Sequence, residues 1–192
     1  MENYDIDNNY YLRSRKMDIA TIENICKCFS DDLTASEASQ KVNISRVTIN
    51  KYYKKLRTFI TNKQEKANKN KPRYFYLKYF VLNKNYIFYI EYNNEIVLLK
   101  EFDLKIDDEV KNSLIRNRKI NCAKLLLKEN NNKYIVLGYM STKNRLNDFI
   151  NSRLKKFRGI NKTNIETHIK ESIFRFNNSN SSVFTNLTTI FL

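Results

Sequence analysis

Two short stretches decide how the first third of the chain folds: Leu33-Thr-Ala-Ser-Glu-Ala38 and Val42-Asn-Ile-Ser-Arg-Val-Thr-Ile-Asn-Lys51. In the first stretch, Thr34 and Glu37 have the spacing of a capping box, which predicts that a helix begins directly after Thr34. In the second stretch, a short turn precedes Ser45, which is placed to cap a longer helix. The two stretches therefore predict a short helix, a turn and a long helix.

A helix is also predicted before the first of these stretches. From Asp18 to Phe29, apolar residues recur at steps of three and four, which is typical of an amphipathic helix. The second helix is expected over 35–41 and the third from Arg46 to about Asn62. This order and turn length are typical of a helix-turn-helix. The alternative is a three-helix bundle whose lysine face serves only to keep it solvated.

The third helix has two contrasting faces. The predicted core face carries Ile49, Tyr53, Leu56 and Ile60, and the opposite face carries Val47, Lys51, Lys54 and Thr58. In a helix-turn-helix, the start of the third helix meets base edges, and cations further along meet phosphates. The predicted DNA-binding residues are accordingly Ser45, Arg46, Val47, Thr48 and Asn50 at the start of the helix and Lys51, Lys54 and Lys55 along it. Asn50 is suited to reading adenine.

The composition supports a polyanionic partner and excludes several site classes. Of 192 residues, 35 are Lys or Arg and 20 are Asp or Glu, giving a net charge of +15. Nucleic acid is the first partner to consider and an anionic membrane surface the second, and the helix-turn-helix pattern favours double-stranded DNA. Only two glycines are present, too few for a glycine-rich phosphate loop. The single histidine and the three cysteines, Cys26, Cys28 and Cys122, do not have the spacings of an ordinary four-ligand zinc site. We expect reduced cysteines, with Cys26 and Cys28 packed in the core, no membrane span or export signal, and a cytoplasmic location.

The rest of the chain predicts an α+β domain behind a basic linker over 63–73. Three aromatic and β-branched runs, over 74–82, 86–92 and 95–103, are separated by asparagine-rich turns and predict a three-stranded antiparallel meander. Further helices are expected over 107–118 and 122–127, and a strand over 133–140. A helix through Leu146 to Phe157 and a second capping box, Thr163 with Glu166, predict two C-terminal helices. This order opens an RNase H-like fold, although an unrelated α+β sheet would show the same order.

Two blocks of the sequence resemble a known family. The first block has two parts. One is the stretch from Phe29 to Ala38, and the other is Ile44-Ser-Arg-Val-Thr-Ile-Asn-Lys-Tyr-Tyr-Lys-Lys-Leu-Arg57. The second is Arg153-Leu-Lys-Lys-Phe-Arg-Gly-Ile160 with His168-Ile-Lys-Glu-Ser-Ile-Phe-Arg-Phe-Asn177. They are similar to the helix-turn-helix and the closing block of short bacterial insertion-sequence DDE-type transposases of the ISXO type. The two blocks lie towards the two ends of the chain, in the family's order, and imply a bacterial protein located in the cytoplasm near the nucleoid.

The resemblance implies an RNase H-like core in which three carboxylates hold two divalent metals, such as Mg²⁺, for attack on a phosphodiester. The chain departs from this pattern. The strand over 74–82, where the first acid is expected, has no carboxylate, the place of the second holds Leu137-Gly138-Tyr139, and that of the third is near Asn144. Acids that could take their place are Glu91, Asp103, Asp107, Asp108 and Asp148, most of which fit surface or helix-start positions. No catalytic residue and no cofactor are therefore predicted, and a metal is expected only if the family chemistry is retained.

The sequence thus predicts an α+β protein with a helix-turn-helix domain over 1–62, the linker over 63–73, and a reduced RNase H-like domain over 74–192. We expect a transposase-like protein that binds the ends of an insertion sequence, with no acidic triad evident for strand transfer. The alternatives are a non-enzymatic helix-turn-helix regulator and an inactive transposase remnant. A homo-oligomer is compatible with each of them.

Overall fold

The computed structural model describes residues 17–67, 72–101, 105–116, 122–128, 134–141, 143–157 and 162–188. The helices are α1 (Ile19–Ser30), α2 (Ala35–Val42), α3 (Arg46–Ala67), α4 (Asp108–Arg116), α5 (Arg145–Lys156), α6 (Ile165–Asn177) and α7 (Asn180–Thr188). The strands are β1 (Tyr74–Leu82), β2 (Asn85–Tyr92), β3 (Glu95–Leu98), β4 (Cys122–Lys128) and β5 (Tyr134–Ser141). The α+β class is therefore correct. The chain divides into two compact units, one of residues 1–53 with 180–192 and the other of residues 54–179.

The first unit begins with the helices that the capping pattern predicted. The Thr34 hydroxyl accepts a hydrogen bond from the backbone N–H of Glu37, and the Glu37 carboxylate accepts one from the backbone N–H of Thr34, at 3.3 and 2.7 Å. Asn43 takes the left-handed conformation (φ 56°) that ends α2. Ser45 Oγ then accepts from the backbone N–H of Thr48 at 3.2 Å. The capping box and the Ser45 cap are both confirmed.

The core of the first unit is made by apolar side chains from α1, α2, the start of α3, and α7. The rings of Phe29 and Tyr53 meet edge to face, with centroids 4.9 Å apart. Cys26 and Cys28 are buried free thiols, as predicted. Helix α7 packs against α1 and buries Val183 and Leu187. The sequence predicted no helix here, because the segment is polar and has little periodicity.

The second unit contains a five-stranded sheet in the order β3-β2-β1-β4-β5, and every neighbouring pair is antiparallel. The predicted meander of β1, β2 and β3 is confirmed. Its two hairpin turns each have two residues at positive φ, Asn83 (49°) with Lys84 (65°) and Asn93 (47°) with Asn94 (63°). Two such residues are typical of type I′ turns, whose twist matches that of the flanking strands.

The prediction of a helix over 122–127 is wrong, because Cys122–Lys128 forms β4. It pairs with β1, where Leu77 lies opposite Lys124, and with β5 along its whole length. A short apolar run has no decisive periodicity, and here the pairing edges of two neighbouring strands determine its conformation. The strand predicted over 133–140 is confirmed as β5.

Helices cover both faces of the sheet. On one face, Phe75, Leu77 and Ile90 pack with Leu114 of α4. On the other face, Phe80 and Tyr89 pack with apolar residues of α5 and α6, among them Ile150, Ile169 and Ile173. The two layers account for most of the apolar periodicity in the second half of the chain.

The boundaries of several elements differ from the predictions. Strand β3 ends at Leu98 and not at residue 103, because Leu99–Glu101 form a 3-10 turn. Helix α3 continues to Ala67, so residues 63–67 of the predicted linker are helical, while residues 68–71 lie outside the described residues. The second capping box does not form: the N-cap of α6 is Asn164, and Glu166 pairs instead with Lys100. Residues 117 and 118 of the predicted fourth helix, and Asp103, also lie outside the described residues.

None of the helices in the described part of the chain is both long enough and apolar enough to cross a bilayer.

Candidate nucleic-acid interface

The face of α3 opposite its core side is solvent-exposed. The core side buries Ile49, Tyr53, Leu56 and Ile60, each at 1% exposure or less. Val47, Lys51, Lys54 and Thr58 fall on the opposite side, at spacings of three and four residues, and all are exposed, as is Asn50 at the flank of this face. The predicted division of this helix into two faces is confirmed.

The charges on the exposed face are all positive. Between Ser45 and Asn62 there are five Lys and Arg residues and no Asp or Glu, and four of the five, all except Arg57, are exposed. Arg46 and Lys55 are exposed on its flanks, in addition to Lys51 and Lys54. The helix dipole adds partial positive charge at the N-terminal end, next to Ser45. A phosphate backbone lying along this face would meet cations without a competing carboxylate from residues 45–62.

Two of the eight predicted DNA-binding residues are engaged in the helix cap. Ser45 Oγ lies 2.9 Å from Thr48 Oγ1, in addition to its bond from the backbone N–H of Thr48. The hydroxyls that were predicted to face DNA thus stabilise the start of α3. Arg46, Val47, Asn50, Lys51, Lys54 and Lys55 remain as exposed side chains, the last two on the part of α3 that belongs to the second unit.

A buried ion cluster in the second unit anchors the later part of α3. Glu171 of α6 is 1% exposed, and its carboxylate accepts hydrogen bonds from three guanidinium groups. The donors are Arg57 of α3 at 2.7 Å, Arg153 of α5 at 2.5 Å and Arg175 of α6 at 2.8 Å. We call these four residues the Glu171 cluster. It ties three helices to one carboxylate.

The electrostatics of the Glu171 cluster keep the carboxylate charged. Burial by itself raises the pKa of Glu171, but the adjacent guanidinium groups of Arg153, Arg175 and Arg57 outweigh it and lower the pKa from 4.5 to about 2. Arg153 also donates to Ser172 Oγ at 2.8 Å, and that hydroxyl donates to the backbone carbonyl of His168 at 2.7 Å. The cluster is thus linked to the backbone of α6.

The Glu171 cluster joins the two sequence blocks that carry the family resemblance. Arg57 ends the first block, and Glu171 and Arg175 belong to the second, 114 residues further along. Sequence analysis assigned these charges no role. The available signal was a Glu and an Arg four residues apart among Ile169, Ile173 and Phe174 on a helix predicted to be buried.

His168 is buried beside the cluster. Its ring lies 5.4 Å from that of Phe157, measured between centroids, and its Nδ1 is 3.9 Å from the Glu171 carboxylate. Residues 158–161, which complete the quoted Arg153 to Ile160 block, lie outside the described residues.

The described residues do not fit the two-metal site that the resemblance implies. Among them, no group of three or more His, Cys, Asp or Glu is arranged to hold a metal ion. Asn144, near the expected third acid, is buried and donates to the Tyr79 carbonyl at 2.6 Å, while its side-chain oxygen accepts from the Tyr89 hydroxyl at 2.9 Å. Glu91 and Asp108 are paired with Lys78 and Lys111. No metal-dependent step is derived from this arrangement.

The chain matches no protein-family model, and no curated protein or solved structure is significantly similar to it.

Proposed function

We propose that the chain is a double-stranded-DNA-binding protein that inserts the start of α3 into the major groove, as a helix-turn-helix does. The proposal rests mainly on the exposed cationic face of α3, which has no acid over residues 45–62 and follows a short capped helix and a turn. The alternative is a simple three-helix bundle. Such a bundle would not need residues 45–62, eighteen in a row, to be free of acids. A solvated helix face usually mixes both signs of charge.

The family resemblance extends this proposal to a transposase-like protein that binds the ends of an insertion sequence. Its support is the order of the two sequence blocks and the salt bridge from Arg57 to Glu171, one residue from each block. The RNase H-like interpretation of the second unit has a single line of support, which is the succession of three strands, a helix and further strands. The proposal stops at DNA binding, because the described residues bring no acidic triad together.

Charge reversal on α3 tests the proposal. The full chain is titrated into a fluorescent duplex, and K51E/K54E is compared with K105E/K155E, which reverses two exposed lysines away from α3. Both variants change the net charge equally. We expect K51E/K54E to lose at least tenfold more affinity than the control, since each reversed lysine loses a phosphate contact and repels the backbone. Equal losses would contradict the proposal.

The alternative function, a non-enzymatic regulator or an inactive remnant, is favoured by the neutral hydrogen bonds of Asn144 where the resemblance expects an acid. A strand-transfer assay with Mg²⁺ or Mn²⁺ on duplexes carrying candidate terminal repeats separates the alternatives. A regulator binds these duplexes and leaves every phosphodiester intact, whereas joined products would establish transposase activity.

A further inference from the structure

The start of α3 presents an apolar side chain on an otherwise polar face. Val47 is 67% exposed, the highest value for a large apolar residue in the described part of the chain. It follows Arg46 and precedes Asn50 and Lys51, all of them exposed. An isolated exposed valine needs no explanation on an ordinary surface. Here it lies on the face that we propose to enter the major groove.

The chemistry of the major groove gives Val47 a specific partner. Thymine is the only base that offers an apolar group there, its C5 methyl, and an aliphatic side chain can contact this methyl while forming no hydrogen bond. Asn50 complements it, because a carboxamide carries one acceptor and two donors and can bond the N6 and N7 atoms of adenine together. Both side chains select A·T pairs by independent contacts.

The spacing of the two residues sets the size of the recognised element. Val47 and Asn50 are three positions apart on one face of α3, which places them about 4.5 Å apart along the helix axis. Successive base pairs are about 3.4 Å apart. Two side chains at this separation reach neighbouring base pairs. The hydroxyls of Ser45 and Thr48, by contrast, are occupied with each other at 2.9 Å.

We infer that Val47 and Asn50 read two adjacent A·T pairs in the major groove, Val47 through the thymine methyl and Asn50 through the adenine edge. This inference rests on the proposed DNA-binding function and deepens it. It assigns Lys51 to phosphate contact and makes the 47–50 turn of α3 the part of the helix that determines sequence preference.

The test begins with selection of preferred duplexes from a random pool by the full chain. Each thymine of the selected site is then replaced in turn by deoxyuridine, which lacks only the C5 methyl. We expect one position at which the wild-type chain loses about fourfold in affinity, as one buried methyl group predicts. V47A should bind the thymine and deoxyuridine duplexes equally at that position. I19A, which shortens an exposed apolar residue of α1, should keep the fourfold difference.

Asn50 is tested on the neighbouring pair. N50A should lose about tenfold in affinity for the A·T duplex and should no longer discriminate against G·C at that pair. If the wild-type chain binds selected duplexes but no thymine-to-deoxyuridine change matters, or if the selected site has no A·T step, the inference is wrong while DNA binding stands. If the chain binds no duplex at any salt concentration, the proposed function fails and the inference fails with it.

Discussion

At the scale of single residues, Glu171 is the shared partner of three arginines in the second unit. Its carboxylate is buried and is the common acceptor for Arg57, Arg153 and Arg175. A buried ion pair adds little over an apolar replacement of the same shape, but removing one member leaves its partners charged and desolvated. The three arginines therefore depend on this one acid.

We predict that E171Q lowers the free energy of unfolding by about 3–5 kcal/mol, because three guanidinium groups would then face a neutral amide. Urea denaturation at pH 7 measures the change. The matched control is E166Q on the same helix, where Glu166 is 56% exposed and pairs with the exposed Lys100. That variant should change the stability by less than about 1 kcal/mol. Equal losses in the free energy of unfolding for the two variants would contradict the role assigned to Glu171.

The same residue predicts a pH dependence. The pKa of Glu171 is lowered from 4.5 to about 2, so its charged form stabilises the fold fully above pH 4.5. As the pH falls from 4.5 to 2, the carboxylate is protonated in the unfolded chain first and this stabilisation is lost. The stability difference between wild type and E171Q should shrink by about 3 kcal/mol over this range. A difference that stays constant from pH 7 to pH 2 would show that Glu171 is not held charged by the arginines.

At the scale of elements, local sequence signals determined most of the helix starts and the turns. The bonds between Thr34 and Glu37 were predictable because a capping box involves residues three apart. The conformation of β4 was not predictable, because it depends on pairing with β1 and β5, which are distant in sequence. The capping box predicted from Thr163 and Glu166 does not form, for a related reason. Lys100, from a distant segment, pairs with the Glu166 carboxylate.

The capping box of α2 makes a prediction at this scale. T34A should destabilise the fold by about 1 kcal/mol, since it leaves the backbone N–H of Glu37 without its acceptor at the start of the helix. Thermal or urea denaturation measures the loss. S36A, an exposed serine-to-alanine change within α2, should be neutral or slightly stabilising. A T34A variant as stable as S36A would show that the cap contributes nothing.

The first hairpin turn offers a stabilising change. Lys84 has a φ of 65°, which costs a residue with a Cβ atom and costs glycine nothing. We expect K84G to raise the free energy of unfolding by about 0.5–1 kcal/mol. K84A removes the same charge but keeps the Cβ atom, so it should give no such gain. If both variants behave alike, the effect comes from the charge and not from the backbone.

At the scale of the whole molecule, sequence reasoning found the class and the order of most elements but not their long-range assembly. The charge, the helix spacing and the asparagine turns were sufficient for an α+β chain with a cationic third helix. The packing of α7 against α1 and the convergence of Arg57 on Glu171 depend on contacts between the two halves of the chain. Such contacts leave no periodic signal in either segment. The candidate DNA-binding face was more accessible to prediction, because all of its residues lie on one helix.

The central claim is that the exposed face of α3 neutralises DNA phosphates. The most direct test measures duplex affinity at several salt concentrations between about 50 and 200 mM for the wild type, K51A/K54A and K105A/K155A. The two variants lower the net charge equally, from +15 to +13. We predict that the slope of log affinity against log salt becomes shallower by about two units in K51A/K54A and is unchanged in K105A/K155A. A slope that is the same in all three proteins would contradict the account.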